Sequence, residues 1–342
     1  MKLAPEVKLN KKLLLQLEEK LTDYVYQTVF KPLIDIIEEP DTELLNADGK
    51  ENIKLILQAL KQGKISYDGT YFKPVTGKFG VRLAKEFQSL GAVLKNGGYK
   101  LPRKIGDPTL ELIKTTAIAE RQKIIEKAER MKVKLMEDKD LPDVECDKEV
   151  SELLENFMFN MQKSLFDDDD SKIGIKQQLS ALEKQQIIQE YIENIQTYSK
   201  KLLYDSNNEL RTMIVGELLK ENLTVEALTN IIQGRYGIAE RHAKFIARQE
   251  SHMAREKITK NSAKSLGFNH YVWQTVGDYK VRPMGGTASY MGDNHKRLDG
   301  KIFSFDDPPI VDRIKGRKCN PGEDFGCRCT ARVIIEDEYF EL

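Results

Sequence analysis

The sequence is poor in cysteine, histidine and tryptophan, with four, four and one of these residues in 342. In a reducing compartment, so few cysteines are better explained as thiols or metal ligands than as disulfides. No apolar run approaches the ~20 residues that a membrane-spanning helix needs, so we expect no membrane contact. Residues 1–5 lack the apolar core and cleavage site of a signal peptide, which indicates synthesis in the cytoplasm.

The chain also lacks net charge, because its 54 basic residues are balanced by 54 acidic ones. This balance argues against nucleic-acid binding by the whole chain through bulk electrostatics, while it leaves local charged patches open. The glycines form no phosphate-binding loop between a strand and a helix. The length allows two or three domains with a sizeable core.

Hydrophobic periodicity predicts an α+β protein that is predominantly helical, with three consecutive domains. Residues 1–105 combine helices with a short strand and turn at Lys64–Gly69. Residues 106–223 read as helices joined by short polar turns, which predict a long helical bundle or stalk. Residues 224–342 form a small α+β domain with a short antiparallel sheet.

Local start and stop signals divide the helices of the second half of the chain. A capping-box signature at Ser206–Glu209 predicts that one helix ends before Ser206 and another begins there. Gly234 and Gly237 predict a break between a short helix that starts at Thr224 and a long helix over Ala239–Leu266.

The chain's only tryptophan and three of its four cysteines fall within His270–Val333. One imidazole and three thiolates in this stretch make a complete tetrahedral set for Zn²⁺: His295, Cys319, Cys327 and Cys329. A site closed by four protein ligands would be structural. The loops around it bury little apolar surface, so packing alone would not offset roughly 1–2 kcal/mol of backbone entropy per ordered residue.

Two other arrangements of the same side chains stay open. The thiols can be buried and free, with His295 in a hydrogen bond, or Cys319 can form a disulfide with Cys327 or Cys329 after the protein leaves the cytosol. An enzyme is less well supported, because no histidine follows His295 to complete a nuclease-type metal site. A cysteine nucleophile would need an oxyanion site, and the sequence marks none.

A second group of polar residues surrounds the predicted strand that contains Trp273. Arg248 and Glu250 lie on the preceding helix beside a row of small residues, and Asp278 and Arg282 flank the following turn. Either the helix presents a solvated polar face, or its charges make a buried or half-buried pair with Asp278 or Arg282. We expect structural roles for these four residues and a core position for Trp273.

The last third of the chain carries short motifs in a fixed order. They are Ala247-Arg248-Gln249-Glu250, Gly267, Trp273, Asp278 with Arg282, His295–Gly300, Pro308-Pro309, Pro321 and Cys327-Arg328-Cys329. Over about 225–335, their order and spacing resemble the phage head morphogenesis family typified by the F protein of phage Mu. The chain departs from that pattern at Gln249, where the family has threonine, and in an insertion over 283–294.

The resemblance implies a non-enzymatic minor capsid protein of a tailed phage or prophage, which supports head assembly and DNA packaging or ejection. Such a protein would be made in the host cytoplasm and would lie in the virion, inside the head near the portal. The implied partners are the portal protein and capsid or scaffold proteins, with a local contact to packaged DNA. Two alternatives are a virion-carried metal-dependent nuclease or toxin, and a DNA-binding module without catalysis.

Overall fold

The computed structural model of the protein describes residues 2–39, 51–102, 107–137, 141–166, 179–220, 223–277, 295–312, 314–324 and 326–335. Asp278, Arg282 and the 283–294 insertion lie outside the described residues. The helices are α1 (Lys11–Val25), α2 (Lys31–Glu38), α3 (Glu51–Lys61), α4 (Val81–Ser89), α5 (Pro108–Glu137), α6 (Asp147–Phe166), α7 (Ala181–Leu218) and α8 (Val225–Ser265), with a π-helical segment at Tyr26–Phe30. Within the described part of the chain, none of them has the length and apolar character needed to cross a bilayer.

Nine short strands accompany these helices in the described ranges. They are β1 (Ile65–Tyr67), β2 (Phe72–Pro74), β3 (Val93–Lys95), β4 (Gly98–Lys100), β5 (His270–Gln274), β6 (Ile302–Ser304), β7 (Ile310–Asp312), β8 (Arg317–Lys318) and β9 (Thr330–Val333). The predicted class is confirmed: the fold is α+β, helices predominate, and a short antiparallel sheet lies near the C-terminus.

The chain forms two compact units, and each is assembled from separate stretches. The first comprises Met1–Tyr24, Asp143–Lys201 and Arg241–Leu342, and the second comprises Val25–Pro142 and Leu202–Glu240. The division into consecutive domains over 1–105, 106–223 and 224–342 stays a prediction.

In the second unit, a four-stranded antiparallel sheet has the strand order β1-β2-β4-β3. The core around it contains Ile56 of α3, Phe72 of β2, Phe87 of α4 and Ile113 of α5, each fully buried. The Phe87 ring stacks on Tyr99 of β4 with 4.9 Å between ring centroids. Amphipathic helices therefore cover this small sheet with their apolar sides.

In the first unit, β5 is the central strand of a three-stranded antiparallel sheet with the order β6-β5-β9. Tyr271 and Trp273 are fully buried, as the period of two along a strand requires for residues on one face. The row of small residues on α8 is buried too: Ala243, Ala247, Ser251 and Ala254. Small side chains let neighbouring elements approach the helix closely, and α8 contacts the loop before β9 through Gln249 and β9 itself through Glu256.

The predicted breaks within the last helices are wrong, because α7 and α8 are each continuous. Ser206 lies inside α7 and is 1% exposed, between the fully buried Leu203 and Leu210. Burial of that apolar face outweighs the local capping preference of Ser206. Gly234 lies inside α8, where a glycine costs only about 1 kcal/mol relative to alanine and packing of the helix offsets it.

Candidate metal centre

The segment that carries His295 is fixed to the end of β5 by one hydrogen bond to a side chain and by backbone hydrogen bonds. A 3-10 turn, Lys296–Leu298, follows His295 and buries Leu298. The Asp299 carboxylate accepts a hydrogen bond from the Thr275 amide at 2.7 Å. Gly300 has a φ of +73° and donates its amide to the Trp273 carbonyl at 2.8 Å. The His-x-x-Leu-Asp-Gly motif thus forms a hydrogen-bonded turn that holds the imidazole beside the sheet.

The structure brings three of the four predicted metal ligands together. His295, Cys327 and Cys329 offer ligand atoms that all lie within 4.8 Å of one another. Cys327 and Cys329 come just before β9, the strand that pairs with β5. Each of the three side chains is only 2–3% exposed.

The distances within this group suit a tetrahedral metal ion. The Nδ1 atom of His295 lies 3.5 Å from the Cys327 sulfur and 3.7 Å from the Cys329 sulfur. Zinc bonds of ~2.3 Å to sulfur and ~2.0–2.1 Å to nitrogen, at a tetrahedral angle, would separate nitrogen and sulfur by about 3.5 Å. The donor set is also soft, as zinc prefers.

A buried carboxylate faces the other nitrogen of the imidazole. The Oδ2 atom of Asp324 lies 3.3 Å from His295 Nε2, and the Asp324 side chain is 5% exposed. Arg317 makes an ion pair with both oxygens of Asp324, with Nη2 donating to Oδ2 at 3.1 Å. If His295 bound a metal through Nδ1, a carboxylate on the other side of the ring would help to orient the imidazole and would raise its basicity.

The two cysteines are electrostatically different. The pKa of Cys327 is lowered well below its ordinary value by a hydrogen bond from the Cys329 thiol and by His295. The Gly322 amide also donates to the Cys327 sulfur at 3.4 Å. The same pairing with Cys327 raises the pKa of Cys329. Cys327 is therefore the thiol that most readily becomes a thiolate, the form that binds metal.

Cys319 is not in the group of three, although it is buried. Burial, followed by the charges of Asp324 and Cys327, raises the pKa of Cys319 to about 12, so it is a protonated thiol in this arrangement. All four cysteines, including the isolated Cys146, are free. The described residues thus supply three close ligands, and a fourth from Cys319 stays a prediction.

Comparison with known proteins agrees with the motif resemblance. Residues 185–332 match the family of Phage Mu protein F like proteins. A Haemophilus influenzae (strain ATCC 51907 / DSM 11121 / KW20 / Rd) protein, described as "Uncharacterized protein", is 27% identical over 131 residues. That match covers 38% of this chain and 24% of the relative, so it spans about a quarter of the relative's length. No solved structure matches the chain.

Gln249, the departure from the motif pattern, holds the loop that carries Asp324 within this Mu F-like region (residues 185–332). Its Oε1 accepts a hydrogen bond from the Gly326 amide at 2.8 Å, and its Nε2 donates to the Asp324 carbonyl at 3.5 Å. The longer side chain of glutamine allows it to reach both sides of this loop from α8. Gln249 therefore fixes the segment between the histidine partner and the two cysteines.

Sequence analysis did not single out Glu256, a second buried side chain of α8 that contacts β9 and the loop before it. Its Oε2 accepts a hydrogen bond from the Ala331 amide at 2.9 Å, and Arg255 pairs with Oε1 at 2.8 Å. Burial raises the pKa of Glu256 to about 7. Gly322 packs directly on this side chain, since a Cβ at Gly322 would lie 2.4 Å from Glu256 Cγ. One glutamate in a heavily charged helix gave no signal of this role.

Arg248 and Glu250 have partners on other helices of the same unit. Arg248 pairs with Glu18 of α1 through two bonds, Nε to Oε1 at 2.7 Å and Nη2 to Oε2 at 2.8 Å. Glu250 is 4% exposed, and burial raises its pKa to about 7 while a hydrogen bond with Asn194 of α7 opposes the shift. These contacts bridge distant parts of the chain, so spacing alone did not indicate them.

Proposed function

We propose that the protein is a minor head protein of a tailed phage or prophage, which supports head assembly together with the portal. The match of residues 185–332 to the Mu F-like family supports this proposal most directly. Three of the ordered motifs add support, because they meet in the fold: Gln249 accepts a hydrogen bond from the Gly326 amide, next to Cys327, and His295 lies against Cys327 and Cys329. In this role the chain works through protein partners, namely the portal protein and capsid or scaffold proteins.

The geometry of the metal centre supports a structural role rather than a catalytic one. His295, Cys327 and Cys329 are almost completely buried, and the ring of Trp273 meets the imidazole edge-on with 5.4 Å between centroids. A catalytic metal site keeps a coordination position open to substrate. Here the described residues close around the ligand atoms, so we propose a protein without enzymatic activity.

We propose that the bound metal is zinc, held by His295, Cys327 and Cys329. The proposal is supported by two sulfurs and one imidazole nitrogen at tetrahedral spacing, with Asp324 behind the ring. When bound, zinc would tie the histidine turn after β5 to the cysteines before β9. Cys319 is the proposed fourth ligand.

The proposed location is tested in purified particles of the phage or induced prophage. Antibody detection after density-gradient purification is expected to find the protein in intact heads at a low copy number. Heads assembled without portal protein are expected to lack it, because the proposal places it at the portal. Absence from complete particles would contradict the whole proposal, and unchanged levels in portal-free heads would contradict the portal association.

A further inference from the structure

One part of the chain departs strongly from the overall charge balance. Residues 51–102, here called the basic module, contain nine basic and three acidic residues, whereas the complete chain has no net charge. Two of the three acids are engaged: Asp68 pairs with Lys73 at 2.7 Å, and Glu86 is half-buried. The excess positive charge therefore lies at the surface of this module.

An open groove of about 720 Å³ crosses the basic module between α3, the β1–β2 hairpin and the start of α4. Its cations are Lys64, Lys78 and Arg82, all exposed. No carboxylate is among the described residues that line it. A groove with cations and no carboxylates favours an anionic ligand.

The start of α4 adds to the positive character of this groove. Gly80 precedes the helix without a side-chain cap, and no acidic residue lies in the first turn. Arg82 occupies that turn instead, although the helix dipole disfavours a cation there. A phosphate at this end would accept hydrogen bonds from the first helical amides and neutralise Arg82.

Cations continue beyond the groove along α3. Lys54, Gln58 and Lys61 recur at helical spacing on one side of the helix, and Gln58 lines the groove. Lys54 and Lys61 are exposed. The positive surface is thus longer than a single phosphate group, and it suits a polyanion whose charges repeat.

We infer that the basic module binds the phosphate backbone of double-stranded DNA without reading its sequence. Single strands are commonly held by stacking bases on exposed aromatic rings. The ring in this groove, Phe79, is half-buried and packs edge-on against Phe87 and Tyr99, at 5.7 and 4.9 Å between centroids. The groove therefore offers charge and amides to a duplex backbone rather than a stacking platform. This inference does not rest on the proposed virion role.

The inference is tested by fluorescence anisotropy with a duplex of arbitrary sequence, about 30 base pairs long, at salt concentrations between about 50 and 200 mM. The complete protein is expected to bind, with affinity that falls linearly on a log–log plot against salt. The variant Lys64→Ala/Lys78→Ala/Arg82→Ala is expected to bind about tenfold more weakly or worse. Its salt slope is expected to be shallower by about 3, because each lost phosphate contact reduces the slope by roughly one.

Two matched variants separate this site from general charge. Lys11→Ala/Lys12→Ala/Lys201→Ala removes three exposed cations outside the basic module and is expected to bind like the wild type. Lys64→Arg/Lys78→Arg/Arg82→Lys keeps the charge and is expected to retain binding, while circular dichroism verifies folding of every variant. Equal losses in the two alanine triples, no duplex binding at the lowest salt, or tighter binding of a single strand would overturn the inference.

Discussion

At Gly322, the absence of a side chain allows the loop before Cys327 to lie against α8. The residue combines a φ of +80° with a position only 2.4 Å, at its missing Cβ, from Glu256 Cγ. Gly322→Ala is therefore expected to lower the free energy of unfolding by about 2–4 kcal/mol, from backbone strain and overpacking together. Urea denaturation of the purified protein measures this change.

Gly316→Ala is the matched control for that substitution. Gly316 also has a positive φ, of +64°, but no atom of the residues that the structure describes lies within 4 Å of its missing Cβ. It is expected to cost only about 1 kcal/mol, the part that comes from the backbone. Equal losses at the two positions would show that the contact with Glu256 contributes nothing.

Glu250 predicts a pH dependence of stability. Its pKa is raised from 4.5 to about 7 in the folded protein, chiefly by burial. Protonated Glu250 therefore contributes its full stabilisation below pH 4.5. This contribution is lost as the pH rises from 4.5 through about 7, because in that range the carboxyl ionises in the unfolded chain while it stays protonated in the native protein. Glu250→Gln stays neutral, so it is expected to gain about 1–3 kcal/mol relative to the wild type between pH 4.5 and 7.

Thermal and urea unfolding at a series of pH values measure this difference. Glu155→Gln removes a carboxylate from an exposed position in the same unit and provides the matched comparison. A gain at Glu250→Gln that is the same at pH 4.5 and pH 8 would contradict the assignment.

Between elements, the ion pair of Arg248 with Glu18 links α8 to α1. Glu18 is 4% exposed, whereas the Arg248 side chain is 56% exposed and partly screened by water. Arg248→Ala is expected to cost about 1–2 kcal/mol, because it leaves a buried carboxylate without its partner. Glu18→Gln/Arg248→Ala is expected to cost less than the sum of the two single changes.

A double-mutant cycle by urea denaturation tests this link. Arg241→Ala, at an exposed arginine of the same helix, is the control and is expected to change stability by less than about 0.5 kcal/mol. A coupling energy of zero between residues 18 and 248 would mean that the pair adds nothing to the packing of α1 on α8.

Prediction from sequence succeeded at the level of elements where periodicity was strong. The predominantly helical class and the strand that contains Trp273 followed from the residue pattern of the sequence. It failed where local signals competed with packing, because burial around Ser206 overrides the cap and Gly234 is tolerated inside α8. Partners such as Glu18 were beyond reach, since they lie 230 residues away along the chain.

Prediction of the metal centre met the same limit, because the sequence does not give the distance between residues that are far apart along the chain. Residue chemistry selected His295, Cys327 and Cys329, and the fold brings their ligand atoms together. It also selected Cys319, whose distance from that group depends on the path of the β7–β8 hairpin and not on composition. Cys319→Ser separates two roles: a metal ligand would lower zinc affinity when replaced, and a buried thiol would change stability alone.

For the whole molecule, two units carry two different proposed tasks. The first unit contains the Mu F-like motifs and the buried His/Cys group, and the second contains the basic module with its groove. Sequence motifs predicted the His/Cys group of the first unit. The zero net charge of the whole chain gave no indication of the basic module in the second unit. Charge had to be located on the fold before the groove of Lys64, Lys78 and Arg82 became visible.

Metal analysis of the complete protein, purified in reducing and chelator-free buffer, tests the central claim most directly. Inductively coupled plasma mass spectrometry is expected to find about one zinc ion per chain, and Cys327→Ser/Cys329→Ser is expected to remove it. Loss of zinc should also lower the melting temperature, since metal binding contributes to folding. A folded protein that contains no zinc, or a double variant that retains it, would contradict the account.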